Sequence, residues 1–172
     1  WNWTSEEGQK TVIDFLVKRD ENLYCRADGG GNITSNSVFI VPTTCTDSEY
    51  KAANPDALPR VINRTITIGA SNPQGSLNLG LWLTITNLGE GLSNSDYFKY
   101  AVTTSPTSCT TGIVSQGTFK GMNNTTNNRV NLLSNKIYTG LDNTDTYYLY
   151  IWLDKDEKSS STMNQTFSFS LG

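Results

Sequence analysis

The sequence predicts an all-β fold, an antiparallel β-sandwich, and three alternating stretches carry that prediction. They are Leu77–Ile85, Tyr147–Leu153 and Thr166–Leu171. Successive side chains of a strand point to opposite faces, so period two places one face in a core. Leu77, Leu79, Leu81, Leu83 and Ile85 line one such face; Tyr147, Leu149, Ile151 and Leu153 line a second; Phe167, Phe169 and Leu171 line a third. Composition agrees. Hydrophobic residues make up 36% and charged residues only 17%. The polar remainder is rich in Asn, Thr and Ser, which suit pleated surfaces and turns. A chain of 172 residues is expected to form one domain and to bury roughly 70% of its unfolded surface.

Taken in order, Trp1–Lys10 is polar apart from Trp1 and Trp3. A first strand is expected at Thr11–Lys18, with Ile13, Phe15 and Val17 on one face, and a short one at Leu23–Arg26. Glycines permit positive φ, so Asp28–Asn32 reads as a turn. Ser37–Val41 is a dense apolar run stopped by Pro42. One short helical or irregular segment falls near 46–54 and ends at Asn54-Pro55, since the residue before proline leaves the helical region. Strands resume at Val61–Ile68, turn at Asn72–Gly75, and continue at Ser76–Asn87 and Tyr97–Thr103. Gly112–Phe119 and Arg129–Leu133 are shorter, and Lys136–Thr139 is marginal. A turn at Asp142–Asp145 precedes Thr146–Leu153 and Thr166–Leu171. Short strands at this spacing suggest a sandwich or jelly roll. No repeat or linker divides 11–172.

Several chemistries are excluded. The net charge is −3 and no basic run exists, so the electrostatic footprint of nucleic-acid binding is missing. No stretch approaches the roughly 20 apolar residues of a spanning helix. The start, Trp1-Asn2-Trp3-Thr4, reads as a processed mature end. Histidine is absent, which removes Ser-His-Asp and Cys-His triads and the commonest zinc ligand. Gly29-Gly30-Gly31 lacks the Lys-Ser/Thr of a phosphate loop. No motif asks for a cofactor.

What remains is a small set of candidates. Cys25, Cys45 and Cys109 are the cysteines. A Cys25–Cys45 disulfide is expected in an extracellular setting, with Cys109 left over; three reduced, buried thiols are the other reading. Asp154, Asp156 and Glu157 lie close in sequence, as a charged surface loop, a weak calcium site or a still weaker catalytic pair. Trp82, Tyr148, Tyr150 and Trp152 fall opposite the aliphatic faces. They form either an aromatic platform for sugars or a second buried face. Sequons at Asn2, Asn32, Asn63, Asn123, Asn124 and Asn164 permit glycosylation in a suitable host.

The start Trp1-Asn2-Trp3-Thr4, the strand Tyr147–Asp154 and the segment Met163–Phe169 together resemble the TasA/camelysin-like group of secreted fibre proteins of Gram-positive bacteria. The likeness is best over the last 30 residues or so. It implies a jelly-roll subunit, without enzymatic activity, that polymerises into extracellular biofilm-matrix or surface filaments by donor-strand exchange. The partners expected are copies of itself in a fibre, with polysaccharide for the aromatic residues. The donor is then Trp1–Lys10, with Trp1 and Trp3 as anchors and Ile13, Phe15 and Val17 continuing the same face. Metalloprotease activity described for some members is not carried over, because the chain has no histidine. The cysteines also depart from the cysteine-free matrix proteins. The alternative is an extracellular adhesin or carbohydrate-binding sandwich that uses the aromatic residues.

Overall fold

The computed structural model describes residues 5–6, 10–11, 23–27, 31–33, 43–45, 61–70, 77–138, 143–163 and 165–172. Among them the strands are β1 (Ser5–Glu6), β2 (Lys10–Thr11), β3 (Leu23–Ala27), β4 (Gly31–Ile33), β5 (Ile62–Ala70), β6 (Leu77–Leu88), β7 (Phe98–Thr103), β8 (Ile113–Thr118), β9 (Arg129–Tyr138), β10 (Asn143–Leu153) and β11 (Phe167–Leu171). The expected strand at Ser37–Val41, most of Thr11–Lys18 and the irregular segment 46–54 lie outside the described residues.

Two antiparallel sheets form an all-β sandwich, as the alternation predicts. The five-stranded sheet runs β3-β5-β10-β7-β8 and the four-stranded sheet β4-β11-β6-β9. Between β3 and β11 the chain changes sheets at every connection except the β7–β8 hairpin. β1 and β2 pair with each other, Ser5 opposite Thr11 and Glu6 opposite Lys10.

The core is built from the faces that period two selects. In β6, Leu81, Leu83 and Ile85 are buried while Asn78, Gly80 and Thr86 are exposed. Phe167, Phe169 and Leu171 of β11 lie beside them in the same sheet, and Tyr147, Leu149, Ile151 and Leu153 of β10 meet both from the other sheet. Phe98 of β7 and Phe167 of β11 come from opposite sheets and meet edge to face at 5.1 Å. Phe119 packs on both, at 4.9 and 5.0 Å. Such ring pairs add about 0.5–1.5 kcal/mol each beyond area burial, so this cluster ties the two sheets at one end.

Three local expectations are corrected. First, Arg129–Leu133 and Lys136–Thr139 are not two weak strands. They are the single strand β9, whose register against β6 shifts on either side of Leu81. Leu132 and Leu133 are both buried, and Asn135 takes φ 56°, a left-handed conformation that Asn tolerates. Extra residues of this kind reset the parity, and period-two reading fails across them. Second, the expected loop at Gly89-Glu90-Gly91 opens a helical turn, α1 (Glu90–Ser93). Its Leu92 is fully buried in the core, so one apolar side chain fixes a segment that otherwise reads as a loop. Third, β10 begins at Asn143, inside the expected turn at 142–145, because Asn143–Tyr147 pairs with Ile66–Ala70 of β5.

The packing predicts how two neighbours in β6 respond to truncation. Leu81→Ala should lower stability by about 2–5 kcal/mol, since it removes a fully buried side chain and leaves a cavity. Asn78→Ala, on the exposed side, should change it by about 0.5 kcal/mol or less. Urea melts of both variants measure the contrast, and equal losses would contradict a single buried face.

Candidate functional site

The outer face of the five-stranded sheet carries the most elaborate side-chain arrangement in the described part of the chain. β10 is its central strand, paired with β5 on one side and β7 on the other. Tyr148, Tyr150 and Trp152 point away from the core. Tyr150 stands between Asn63 of β5 and Ala101 of β7. The small Ala101 leaves room above the sheet. The loop 104–112 fills that room, and with it Cys109.

The loop holds its shape through its own hydroxyls. Thr104 N donates to Gly112 O at 3.0 Å and closes the hairpin. The Thr103 hydroxyl donates to Ser108 O at 2.9 Å. Ser108 N donates to Ser105 Oγ at 3.1 Å, and Thr110 N to Ser108 Oγ at 3.2 Å. Gly112 has φ +67°, and a Cβ there would collide with the Thr104 hydroxyl, so the hairpin needs glycine at this place. The Tyr150 hydroxyl donates to Ser105 O at 2.8 Å and pins the loop to the sheet.

A second segment closes over the same face. Thr43 N donates to Leu153 O at 2.9 Å, and Thr43 bridges Asp154 in parallel. This brings Cys45 above β10, where it forms a disulfide with Cys109, Cα to Cα 6.2 Å. Cys45, Cys109, Ala101, Tyr150, Trp152, Val61 and Tyr148 make a second apolar cluster.

The expected Cys25–Cys45 pair is therefore corrected to Cys45–Cys109. The reason is strand position. Cys25 lies in the edge strand β3, which pairs with β5 and is two strands removed from β10. Cys45 and Cys109 meet on the outer face, above β7 and β10. Spacing does not reveal this, because connectivity among three cysteines cannot be deduced from sequence. The signal that was legible is the small Ala101 among large neighbours in β7.

The four candidate aromatic residues are not one platform. Tyr150 is 3% exposed and Trp152 is 8% exposed, beneath the clipped loops. Trp82 lies on the other side of the sandwich, on the outer face of the four-stranded sheet. There the Arg129 guanidinium sits 4.6 Å from its ring centre. Such a contact contributes about 0.5–1 kcal/mol at an exposed site.

Nor do Asp154, Asp156 and Glu157 form one ligand set. Glu157 is buried. It accepts the Ser95 hydroxyl and Ser159 N, the latter at 2.9 Å. Asp154 accepts from Trp152 Nε1 at 3.4 Å and faces Lys99 Nζ at 3.9 Å. Asp156 is exposed, and its N donates to Asp154 Oδ2 at 3.3 Å. Two of these carboxylates hold turns and strand ends together. Among the described residues no three His, Cys, Asp or Glu side chains gather around a common point.

The donor candidates Trp1, Trp3, Ile13, Phe15 and Val17 lie outside the described residues. No protein-family model, curated protein or solved structure matches the chain.

Burial raises the Tyr150 hydroxyl above the ordinary 10.0, helped by neighbouring Tyr148 and opposed by a hydrogen bond with Asn63. Burial does the same at Tyr100, against a hydrogen bond to Ser115. Unfolded, both ionise near 10.0; folded, they hold their protons longer. Their contribution to stability is fully present below about pH 10 and is lost as pH rises through the folded values. Urea midpoints should therefore fall steeply above pH 10, and less steeply for Tyr150→Phe.

The disulfide gives a further expectation. A non-reduced digest should yield a Cys45–Cys109 peptide pair by mass spectrometry. Closing a loop of this length is worth about 4 kcal/mol, so Cys45→Ala with Cys109→Ala should lower stability by about that amount. It should also red-shift tryptophan emission as Trp152 gains solvent. An unchanged midpoint and spectrum would mean the clip does not hold the cover.

Proposed function

We propose that the chain is a secreted, non-enzymatic structural subunit that polymerises into extracellular filaments by donor-strand exchange. The observation that carries the reading is the separateness of the chain's first strands. Among the described residues β1 and β2 pair only with each other and join neither sheet of the sandwich. Strands such as β1 and β2, outside both sheets of their own sandwich, are available to complete another. A donated strand satisfies the backbone groups of a sheet edge and adds apolar side chains to its core.

The strand order supports the same reading. Eight strands, β4 to β11, are arranged 4-11-6-9 in one sheet and 5-10-7-8 in the other. We read this as the double Greek key of a jelly roll, the architecture implied by the resemblance to TasA/camelysin-like fibre proteins, with β3 as an added edge strand. The Cys45–Cys109 disulfide suits an oxidising, extracellular setting. No helix among the described residues is long and apolar enough to cross a membrane.

Electron microscopy of the purified chain in negative stain tests the proposal. The full chain should form filaments. Removing residues 1–10 should abolish them while circular dichroism still reports a folded β-rich protein. Trp1→Ala with Trp3→Ala should slow assembly at least tenfold. A full chain that stays without filaments at high concentration, or a shortened one that still polymerises, overturns the reading.

A further inference from the structure

β8 is the outermost strand of the five-stranded sheet. β7 pairs with one of its sides, and no described strand pairs with the other. Tyr100 packs against Gly117 on one face, but among the described residues the other face is open. Ile113 is 42% exposed and Val114 47% exposed, and Gln116 and Thr118 are also in solvent. The open side of a strand presents a row of N–H and C=O groups that another extended chain satisfies best.

Exposed edges are normally guarded by lysines, proline, bulges or extreme shortness. The edge of the other sheet, β9, is guarded in this way. Its register shifts on either side of Leu81, it turns left-handed at Asn135, and it carries Arg129 and Lys136. β8 has one register shift, at its start, after which Ser115–Thr118 follow β7 without interruption. It contains neither proline nor charge, and no charged residue occurs between Lys99 and Lys120.

We propose that β8 is a self-docking edge: two copies pair their β8 strands antiparallel about a two-fold axis and run their five-stranded sheets into one. Three observations choose a second copy as the occupant. An antiparallel edge is self-complementary, which is what an isologous interface requires. The chain's net charge is −3, yet two copies that meet here bring only uncharged Ser, Thr, Gln, Gly, Ile and Val together. The pairing also withdraws Ile113 and Val114 of both copies from water. The contact uses nothing from residues 1–10, so it is separate from the filament proposal.

Sedimentation equilibrium and amide hydrogen exchange on the full chain test the inference. Below the concentration at which filaments form, the wild-type chain should dimerise, with exchange at residues 113–118 slowed as concentration rises. Ile113→Lys with Val114→Lys should weaken the dimer at least tenfold and abolish that protection. Gln116→Lys, a single change at an exposed position, should weaken it in the same direction if the double variant folds poorly. A chain lacking residues 1–10 should dimerise as the full chain does. The inference fails if the wild-type chain is monomeric throughout, if Gln116→Lys associates as tightly as wild type, or if the protection maps elsewhere. It also fails, leaving the filament proposal standing, if removing residues 1–10 abolishes association while the β8 variants keep it.

Discussion

The structure depends on one strand having to bury both of its faces. β10 is central in its sheet, and from Tyr147 to Leu153 large side chains line both of its faces. Tyr147, Leu149, Ile151 and Leu153 meet the opposing sheet, and Tyr150 and Trp152 are buried on the other side. The first set needs a second sheet. The second set needs a cover that the sheets do not supply. Burying a large apolar side chain stabilises by about 1.5–3 kcal/mol, so leaving Tyr150 and Trp152 in water would cost much of a small domain's margin of about 5–15 kcal/mol. The loop 104–112 and the segment 43–45 answer that need, and the small Ala101 makes room for them. The disulfide, the Tyr150 hydroxyl bond to Ser105 and the bridge from Thr43 to Asp154 are all parts of one lid.

This division explains what was legible in the sequence. The inward faces of β6, β10 and β11 were readable because their period is unbroken where it counts. The class of fold follows from them. β9 was readable only in fragments, since the residues inserted around Leu132 and Asn135 shift parity without changing composition. α1 was missed for a different reason: a four-residue turn has too few positions to show a period, and only the burial of Leu92 reveals its role.

The candidate site was less legible, because it is made by tertiary proximity. Residues 45 and 109 are far apart in sequence and meet only because β7 and β10 are neighbours while β3 is not. Likewise Asp154 and Glu157 looked like a charge cluster. Their partners, Lys99 at the start of β7 and Ser95 just before it, are more than 50 positions away. Tyr148, Tyr150 and Trp152 lie opposite the core-facing side of β10. Whether that side met water depended on loops whose Ser and Thr content says little about where they fold.

The lid also has a mechanical meaning. A covalent link between residues 45 and 109 turns the intervening chain into a closed ring, with a sequence separation of 64. The ring contains β5, β6, α1 and β7. Tension applied to the two ends of the chain passes through the sulfur bridge and bypasses those four elements. At about 3.3–3.6 Å per extended residue, roughly 200 Å of contour length is held out of the load path. The sandwich is thus inextensible over its middle third for as long as the bridge stands, and reduction converts a stiff link into one that can lengthen many-fold before it breaks.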